Sequence, residues 1–323
     1  MKIIIQIPCY NEELQLSETV NNLREALLST EYQNINKIIN WEILIINDGS
    51  TDNTFEVAKN LNVDHIISHK YNRGLASAFR TGLKNSLQLG ADIIINTDAD
   101  NQYNPLDIIK ILQPILDGKA DFVIGQRPIM KHKEFKLSKK ILQASGSWFV
   151  RFLSNTDVKD APSGFRALTR NTASKLNIYD NYTYTIESIM QSDYLGLKVL
   201  SVPIRVNESK RNSRLVKNNF SYINKAFLTI FKTLMLYKAE RLTLLPSLFL
   251  FSISGVLYSR WLYLWINNSP RSHVPSILIA SVFLIIGVLL LLLSYICYLN
   301  RINRQLSEEI LDLLKSKKNL NSL

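Results

Sequence analysis

Asp98 and Asp100 stand two residues apart directly after the apolar run Ile93–Asn96, with Asn101 and Gln102 next in the chain. Two carboxylates at the end of a buried strand repel each other and resist desolvation together, so their ionised forms call for a cation. Hard oxygen ligands of this kind suit Mg²⁺ or Mn²⁺, which retains several waters and bridges the phosphates of a bound nucleotide. Two more polar clusters follow apolar runs, Pro8-Cys9-Tyr10-Asn11-Glu12-Glu13 and Asn47-Asp48-Gly49-Ser50-Thr51-Asp52. Alone, the second reads as an ordinary turn with a helix N-cap. At the ends of two successive strands of one sheet, the pair would wall a nucleotide pocket. Asp48 would then accept a hydrogen bond from a pyrimidine or guanine ring N–H, and Tyr10 would pack beside the base.

Other nucleotide devices are missing from the sequence. It has no G-x-x-x-x-G-K-[ST] and no G-x-G-x-x-G, which excludes a P-loop and a dinucleotide fingerprint. His65 and His69 are four apart but straddle a strand end rather than a helix face, which speaks against zinc. Arg127 and Arg166 carry planar guanidinium forks that match phosphate oxygens, and Arg211 and Arg214 in a basic loop are further candidates for an acceptor phosphate or for headgroup contact.

These residues need a scaffold, and the first half of the chain supplies its pattern. Short β-branched runs at Ile3–Ile7, Glu42–Ile46, His65–Ile67, Ile93–Asn96 and Phe122–Ile124 predict strands. Helical spacing over Glu13–Leu28, Asp52–Leu61, Leu75–Leu89 and Leu106–Leu116 separates them. The alternation predicts an α/β fold, a parallel sheet flanked by helices, in which ligands bind beyond the carboxyl ends of the strands. A sixth strand is expected at Val199–Val206, then an amphipathic interfacial helix over residues 219–241.

The last quarter is different. Val274 to Leu299 is 26 residues without a charge, and Leu242 to Ser259 is an uncharged run of 18 that continues past Arg260 into Trp261–Ile266. A bilayer core takes about 20 helical residues, so transmembrane helices are expected at 242–266 and 274–299, with a cytoplasmic tail at 300–323. The bland alternative is a pair of buried core helices. Lys232, Lys238 and Arg241 precede the first span, and Arg301, Arg304, Lys315, Lys317 and Lys318 follow the second. The positive-inside rule therefore puts both ends, and the domain of residues 1–218, in the cytoplasm of a multi-pass protein of the cell membrane. Net charge is −6 over residues 1–124, +13 over 125–241 and +4 beyond. An acidic first part argues against nucleic acid as a partner, and a basic middle next to the spans argues for anionic lipid or a lipid phosphate. Cys9 and Cys297 lie in unlike surroundings, which excludes a disulfide framework.

The order of motifs resembles the family 2 inverting glycosyltransferases, in the branch of dolichol-phosphate mannose synthase and bacterial polyprenyl-phosphate glycosyltransferases with a C-terminal hairpin. It runs Pro8–Glu13, Asn47–Asp52, Asn72-Arg73-Gly74, Asp98–Gln102, Gly125-Gln126-Arg127 and Asp160–Arg166. The resemblance implies a GT-A fold, with Pro8, Tyr10, Glu12, Asp48 and Asp98 at the nucleoside, and Asp98, Asp100 and Gln102 around a Mg²⁺ or Mn²⁺ ion and the diphosphate. It also implies phosphate contacts for Arg127 and Arg166, with Gln126 departing from the commoner Ser, and an acidic family position at Glu187. The expected catalytic set is thus Asp100, Arg127, Arg166 and Glu187.

A phosphate monoester acceptor is already ionised near pH 7 and needs no general base, so Glu187 is expected to orient an arginine. The implied reaction moves a hexose from a UDP-glucose or GDP-mannose type donor to a polyprenyl phosphate. The alternatives are transfer to a hydroxyl of a lipid-linked glycan and an inactive nucleotide-binding scaffold. A second copy of the chain and a flippase for the lipid-linked sugar are the other candidate partners.

Overall fold

The computed structural model describes residues 1–29, 32, 39–129, 137–179, 184–207, 235, 239–267 and 274–320. The chain divides into two compact units, Met1–Ile230 and Phe231–Leu323.

In the first unit, strands β1 (Lys2–Cys9), β2 (Asn40–Asn47), β3 (His65–Ser68), β4 (Ile93–Asn96), β5 (Phe122–Gln126), β6 (Arg166–Thr169) and β7 (Val199–Pro203) form one sheet in the order β3-β2-β1-β4-β6-β5-β7. The first four strands of that order are mutually parallel, with Ile5 opposite Ile43 on one side and Ile95 on the other. Strand β6 runs antiparallel to both β4 and β5, and β5 is parallel to β7. The parallel core expected from the sequence is the run β3-β2-β1-β4, and β6, β5 and β7 extend it into a mixed sheet. Strand β7 ends at Pro203, short of the expected Val206; its proline ring sits on the outer edge of the sheet, and Ile204 N still donates to Gln126 O (2.9 Å).

The helices are α1 (Leu16–Leu28), α2 (Thr54–Asn60), α3 (Leu75–Gln88), α4 (Ile108–Leu116), α5 (Leu137–Ser154), α6 (Arg170–Lys175) and α7 (Thr185–Tyr194). Period-2 alternation divides the sheet between two apolar layers. Ile3, Ile5, Ile7, Ile45 and Ile95 pack with Leu16, Val20, Leu23 of α1 and Ile108, Ile111, Leu112 of α4. Ile4, Leu44, Ile46 and Ile94 face the other way, against Phe79 and Leu83 of α3, Val150 of α5 and Ile189 of α7. Both faces of the central strands are thus covered, which is why β1 reads as an almost unbroken apolar run with its exposure near zero.

The second unit contains α8 (Ala239–Ile266) and α9 (Val274–Leu320). Over Leu242–Ile266 and Val274–Arg304 they are long and apolar enough to cross a membrane, and most of their large apolar side chains are exposed. Hydroxyls tie the two helices together: Ser247 Oγ donates to Gly287 O (2.8 Å), Ser254 Oγ to Ala280 O (2.9 Å) and Ser294 Oγ to Glu240 O (2.9 Å). Gly287 lets the Phe251 ring approach to 3.2 Å of where a Cβ would lie, the small-residue packing and hydroxyl bonding common between membrane helices. Helix α9 continues without a break beyond Leu299 to Leu320, so the expected tail is helical for most of its length. Helix α8 starts at Ala239, inside the segment expected to be interfacial; the rest of that segment lies outside the described residues apart from Met235.

Candidate active site

The loops after β1 and β2 interlock. Asp48 N donates to Cys9 O (2.9 Å), Asn11 N to Ser50 Oγ (3.0 Å), Thr51 N to Asn11 Oδ1 (2.8 Å) and Glu12 N to Thr54 Oγ1 (2.8 Å). Asn11 takes a left-handed φ of 54°, a conformation its short amide tolerates, and this turns the chain back toward the second loop. Hydrogen bonds from Thr54 and Glu13 outweigh burial and hold the Asp52 carboxyl below its ordinary range. Pro8 is buried in the strand end and Tyr10 is 41 % exposed at the rim. Burial pushes the Cys9 thiol up to about 12, with Glu12, Asp52 and Asp48 adding to the effect, so Cys9 is a packing residue rather than a nucleophile.

The carboxylate pair stands beyond β4. Strand β4 is fixed from beneath by a buried polar chain, in which Gln6 Nε2 donates to Asn96 Oδ1 (2.9 Å) and Asn96 Nδ2 to Gly164 O (2.8 Å) and Tyr184 Oη (3.0 Å). Asp98 follows two residues later. Burial, then the nearby Asp100 charge, pushes its carboxyl up to about 7 against the pull of Arg127 and a hydrogen bond from Tyr103. A Cβ on Gly164 would fall 2.6 Å from Asp98 Oδ1 and 2.8 Å from Oδ2, so only glycine fits beside this carboxylate. Gly164 N in turn donates to Tyr103 Oη (2.9 Å), and the Tyr103 ring stacks on Phe165 at 5.1 Å. Asp100 is exposed and accepts from Gln102 N (3.1 Å).

Arg127 extends from the end of β5 toward this pair. Its Nε and Nη2 donate to the two oxygens of the fully buried Asp160 (2.7 and 3.0 Å), and Nη1 reaches Gln102 Oε1 (3.3 Å). Asp160 offsets the burial penalty on Arg127 and holds its pKa above the ordinary value. Asp98, Asp100, Gln102 and Arg127 therefore converge on one locus, with two like charges faced by one fixed cation. The donor set suits a hard divalent cation: two neighbouring carboxylates and an amide oxygen leave the remaining coordination to ligand oxygens and water.

The other expected residues are placed differently. Arg166 has no exposed surface; Nε donates to Ser163 O (2.7 Å), Nη1 to Ser188 Oγ (2.6 Å) and Nη2 to Ala161 O (2.8 Å) and Thr185 O (3.1 Å). Its guanidinium braces the 160s loop against α7, while Arg127 is the arginine that reaches Gln102 beside the carboxylate pair. Glu187 is also buried, and its carboxylate accepts from Tyr179 N (3.0 and 3.1 Å). Asp48 is engaged by His69 Nδ1 (2.6 Å), Arg73 N (3.0 Å) and Gly74 N (2.8 Å). His65 pairs with Glu42 (2.8 Å). Arg211 and Arg214 lie outside the described residues. Residue type and spacing alone do not mark Tyr103, Gly164, Asp160 and Asn96 as working residues, although Tyr103 adjoins Gln102, and Asp160 and Gly164 belong to the motif that ends in Arg166.

A seven-stranded mixed sheet that carries acidic loops at the carboxyl ends of β1, β2 and β4 has the architecture of the GT-A glycosyltransferases. Glucosyl-3-phosphoglycerate synthase from Mycobacterium tuberculosis, solved with Mn²⁺, UDP and phosphoglyceric acid, matches with a TM-score of 0.56 at 19 % identity, over 72 % of this chain and 78 % of that one. The chain belongs to glycosyl transferase family 2, whose model matches residues 4–176, and it is a glycosyltransferase. Among its relatives are UDP-N-acetylglucosamine–dolichyl-phosphate N-acetylglucosaminyltransferase of Methanococcus voltae, 33 % identical over 63 % of this chain and 84 % of the relative. Undecaprenyl-phosphate mannosyltransferase of Micrococcus luteus is 25 % identical over 67 % and 90 %, and dolichol-phosphate mannosyltransferase of Pyrococcus furiosus 26 % over 83 % and 73 %.

Proposed function

We propose that the protein transfers a hexose, with inversion, from a nucleotide-sugar to a polyprenyl phosphate at the cytoplasmic face of the membrane. The observation that carries this reading is the union in one chain of an Asp98/Asp100 pair faced by Arg127 with a hairpin of two exposed apolar helices. Relatives named for transfer to dolichyl or undecaprenyl phosphate support the acceptor class. The ion pair of Arg301 with Glu240 links the start of α8 to the end of the apolar run of α9, so both ends of the hairpin lie on one side, where the flanking cations favour the cytoplasm. Exposed Trp148 and Phe152, stacked at 5.9 Å on α5, give the first unit an apolar face of its own suited to lipid.

The interlocked β1 and β2 loops form the wall for the nucleoside, with Tyr10 at its rim. Asp98 and Asp100, beside Gln102, would hold Mg²⁺ or Mn²⁺, which supplies positive charge to the leaving diphosphate. Arg127, held rigid by Asp160, presents fixed positive charge at the same locus and offsets the repulsion between a phosphate acceptor and an anionic donor. Glu187 is buried and accepts from the Tyr179 amide, and an acceptor that arrives ionised asks no base of it. Catalysis is then alignment and electrostatics rather than base chemistry.

The test compares polyprenyl phosphate with the polyprenol of the same length, each with a panel of nucleotide-sugars. Transfer to the phosphate alone is expected. Equal transfer to the alcohol, or transfer only to a lipid-linked glycan, would replace this reading with the hydroxyl-acceptor one.

A further inference from the structure

Asp48 and His69 form a buried couple behind the loop Tyr71–Gly74. Their side chains are 3 % and 6 % exposed, and His69 Nδ1 donates to Asp48 Oδ1 at 2.6 Å. On the far side of the ring, Nε2 pairs with Thr81 Oγ1 of α3 (2.9 Å). Asp48 Oδ1 also accepts from Arg73 N (3.0 Å), and Oδ2 accepts from Gly74 N (2.8 Å). A carboxylate offers about four acceptor sites, so three of them are taken by its own fold. The loop also lies flat on Gly49, where a Cβ would come 2.3 Å from Tyr71 C and 2.6 Å from Asn72 N. Gly49 and Gly74 hold φ of +66° and +90°, in the region that favours glycine. The clamp leaves the Tyr71 ring 67 % exposed, with Asn72 and Arg73 exposed beside it.

Resting on the nucleotide-sugar reading above, we infer that His69 is a positioning residue for the donor nucleotide: acting through Asp48, it fixes the loop Tyr71–Arg73 as the surface against which the nucleotide docks. Asp48 thereby serves the base through the loop it clamps, in place of the direct ring N–H contact expected from the sequence. The imidazole suits this task because its two nitrogens bridge a carboxylate on the β2 loop and a hydroxyl on α3, so the loop is anchored to two elements at once. A hydrogen bond to a charged partner is worth more than a neutral one, and without it the loop amides must order themselves on binding.

The experiment titrates UDP and GDP, with Mn²⁺, onto the full-length protein in nanodiscs, and measures transfer rates for the same variants. His69→Ala is expected to weaken binding of whichever nucleotide the wild type takes by roughly 10- to 100-fold. The donor KM should rise in step while kcat stays within about threefold, because the loop acts on binding rather than on the reacting atoms. His69→Asn places an amide donor where Nδ1 stood and should restore most of the affinity; Thr81→Val should give an intermediate loss. Wild-type affinity in His69→Ala overturns the inference, as does His69→Asn binding no better than His69→Ala, or kcat falling as far as affinity. A wild type that binds neither nucleotide overturns the donor reading itself and the inference with it.

Discussion

Gly164→Ala is the sharpest perturbation of the carboxylate site. The added methyl would lie 2.6 Å and 2.8 Å from the oxygens of Asp98, whereas ordinary van der Waals contact starts near 3.4 Å. The carboxylate or the loop must therefore move by about 0.6–0.8 Å. Asp98 cannot retreat freely, because Tyr103 is hydrogen-bonded to it and stacked on Phe165. Nor can the loop, since Gly164 N and O are both engaged, by Tyr103 and Asn96. Overpacking of this size costs about 1–3 kcal/mol of stability, and a misplacement approaching 1 Å at a reacting centre costs on the order of 10²-fold in rate. The variant should thus remain folded by circular dichroism yet lose about 10²-fold in initial rate at saturating donor, with a raised half-saturation for Mn²⁺. Gly146→Ala on α5, where a Cβ meets nothing within 4 Å, is the matched control and should behave as wild type. A Gly164→Ala enzyme with wild-type rate and metal response would refute the geometry assigned to Asp98.

Asp100→Asn should lose roughly 10²-fold or more in rate by removing one of the paired charges, and full activity of this variant in excess EDTA would sink the metal assignment. Because burial raises the Asp98 carboxyl to about 7, the metal-free native state binds a proton there that the unfolded chain releases near its ordinary value. Between those two pKa values this group makes stability fall as pH rises. Thermal midpoints without metal should therefore decline from about pH 5.5 to pH 8, and Mn²⁺ should raise the midpoint more at pH 8 than at pH 5.5. Cysteine labelling at introduced sites near Ser269 should report the outside, and at sites near Asn319 the cytoplasm; labelling of both from one side would mean that the hairpin is misread.

The sequence exposes the parallel half of the sheet because β1, β2 and β4 are buried on both faces and show it as apolar runs such as Ile3–Ile7. Strand β6 is hidden for the opposite reason. It is four residues long and begins with Arg166, a residue that reads as a surface ligand for phosphate until the fold surrounds it with Ser163, Ala161, Thr185 and Ser188. Arg127 shows how far residue type alone reaches. The guanidinium does stand beside the carboxylates, yet its partner Asp160 is 33 residues away in sequence and becomes visible only through the antiparallel return of the chain. Asp48 and His69 follow the same logic, since their pairing depends on β2 and β3 lying side by side. Hairpin length was legible from charge-free runs, whereas the continuation of α9 was not, because its later part is polar.

Transfer to a lipid phosphate is read out by incubating the purified full-length protein with undecaprenyl phosphate, Mg²⁺ or Mn²⁺ and each nucleotide-sugar of a panel, then weighing the lipid fraction by mass spectrometry. One donor is expected to add a single hexose to the lipid phosphate with release of its nucleoside diphosphate, and Asp100→Asn to remove the product. A lipid fraction left unchanged by every donor, while the same protein glycosylates a hydroxyl acceptor, would contradict that transfer.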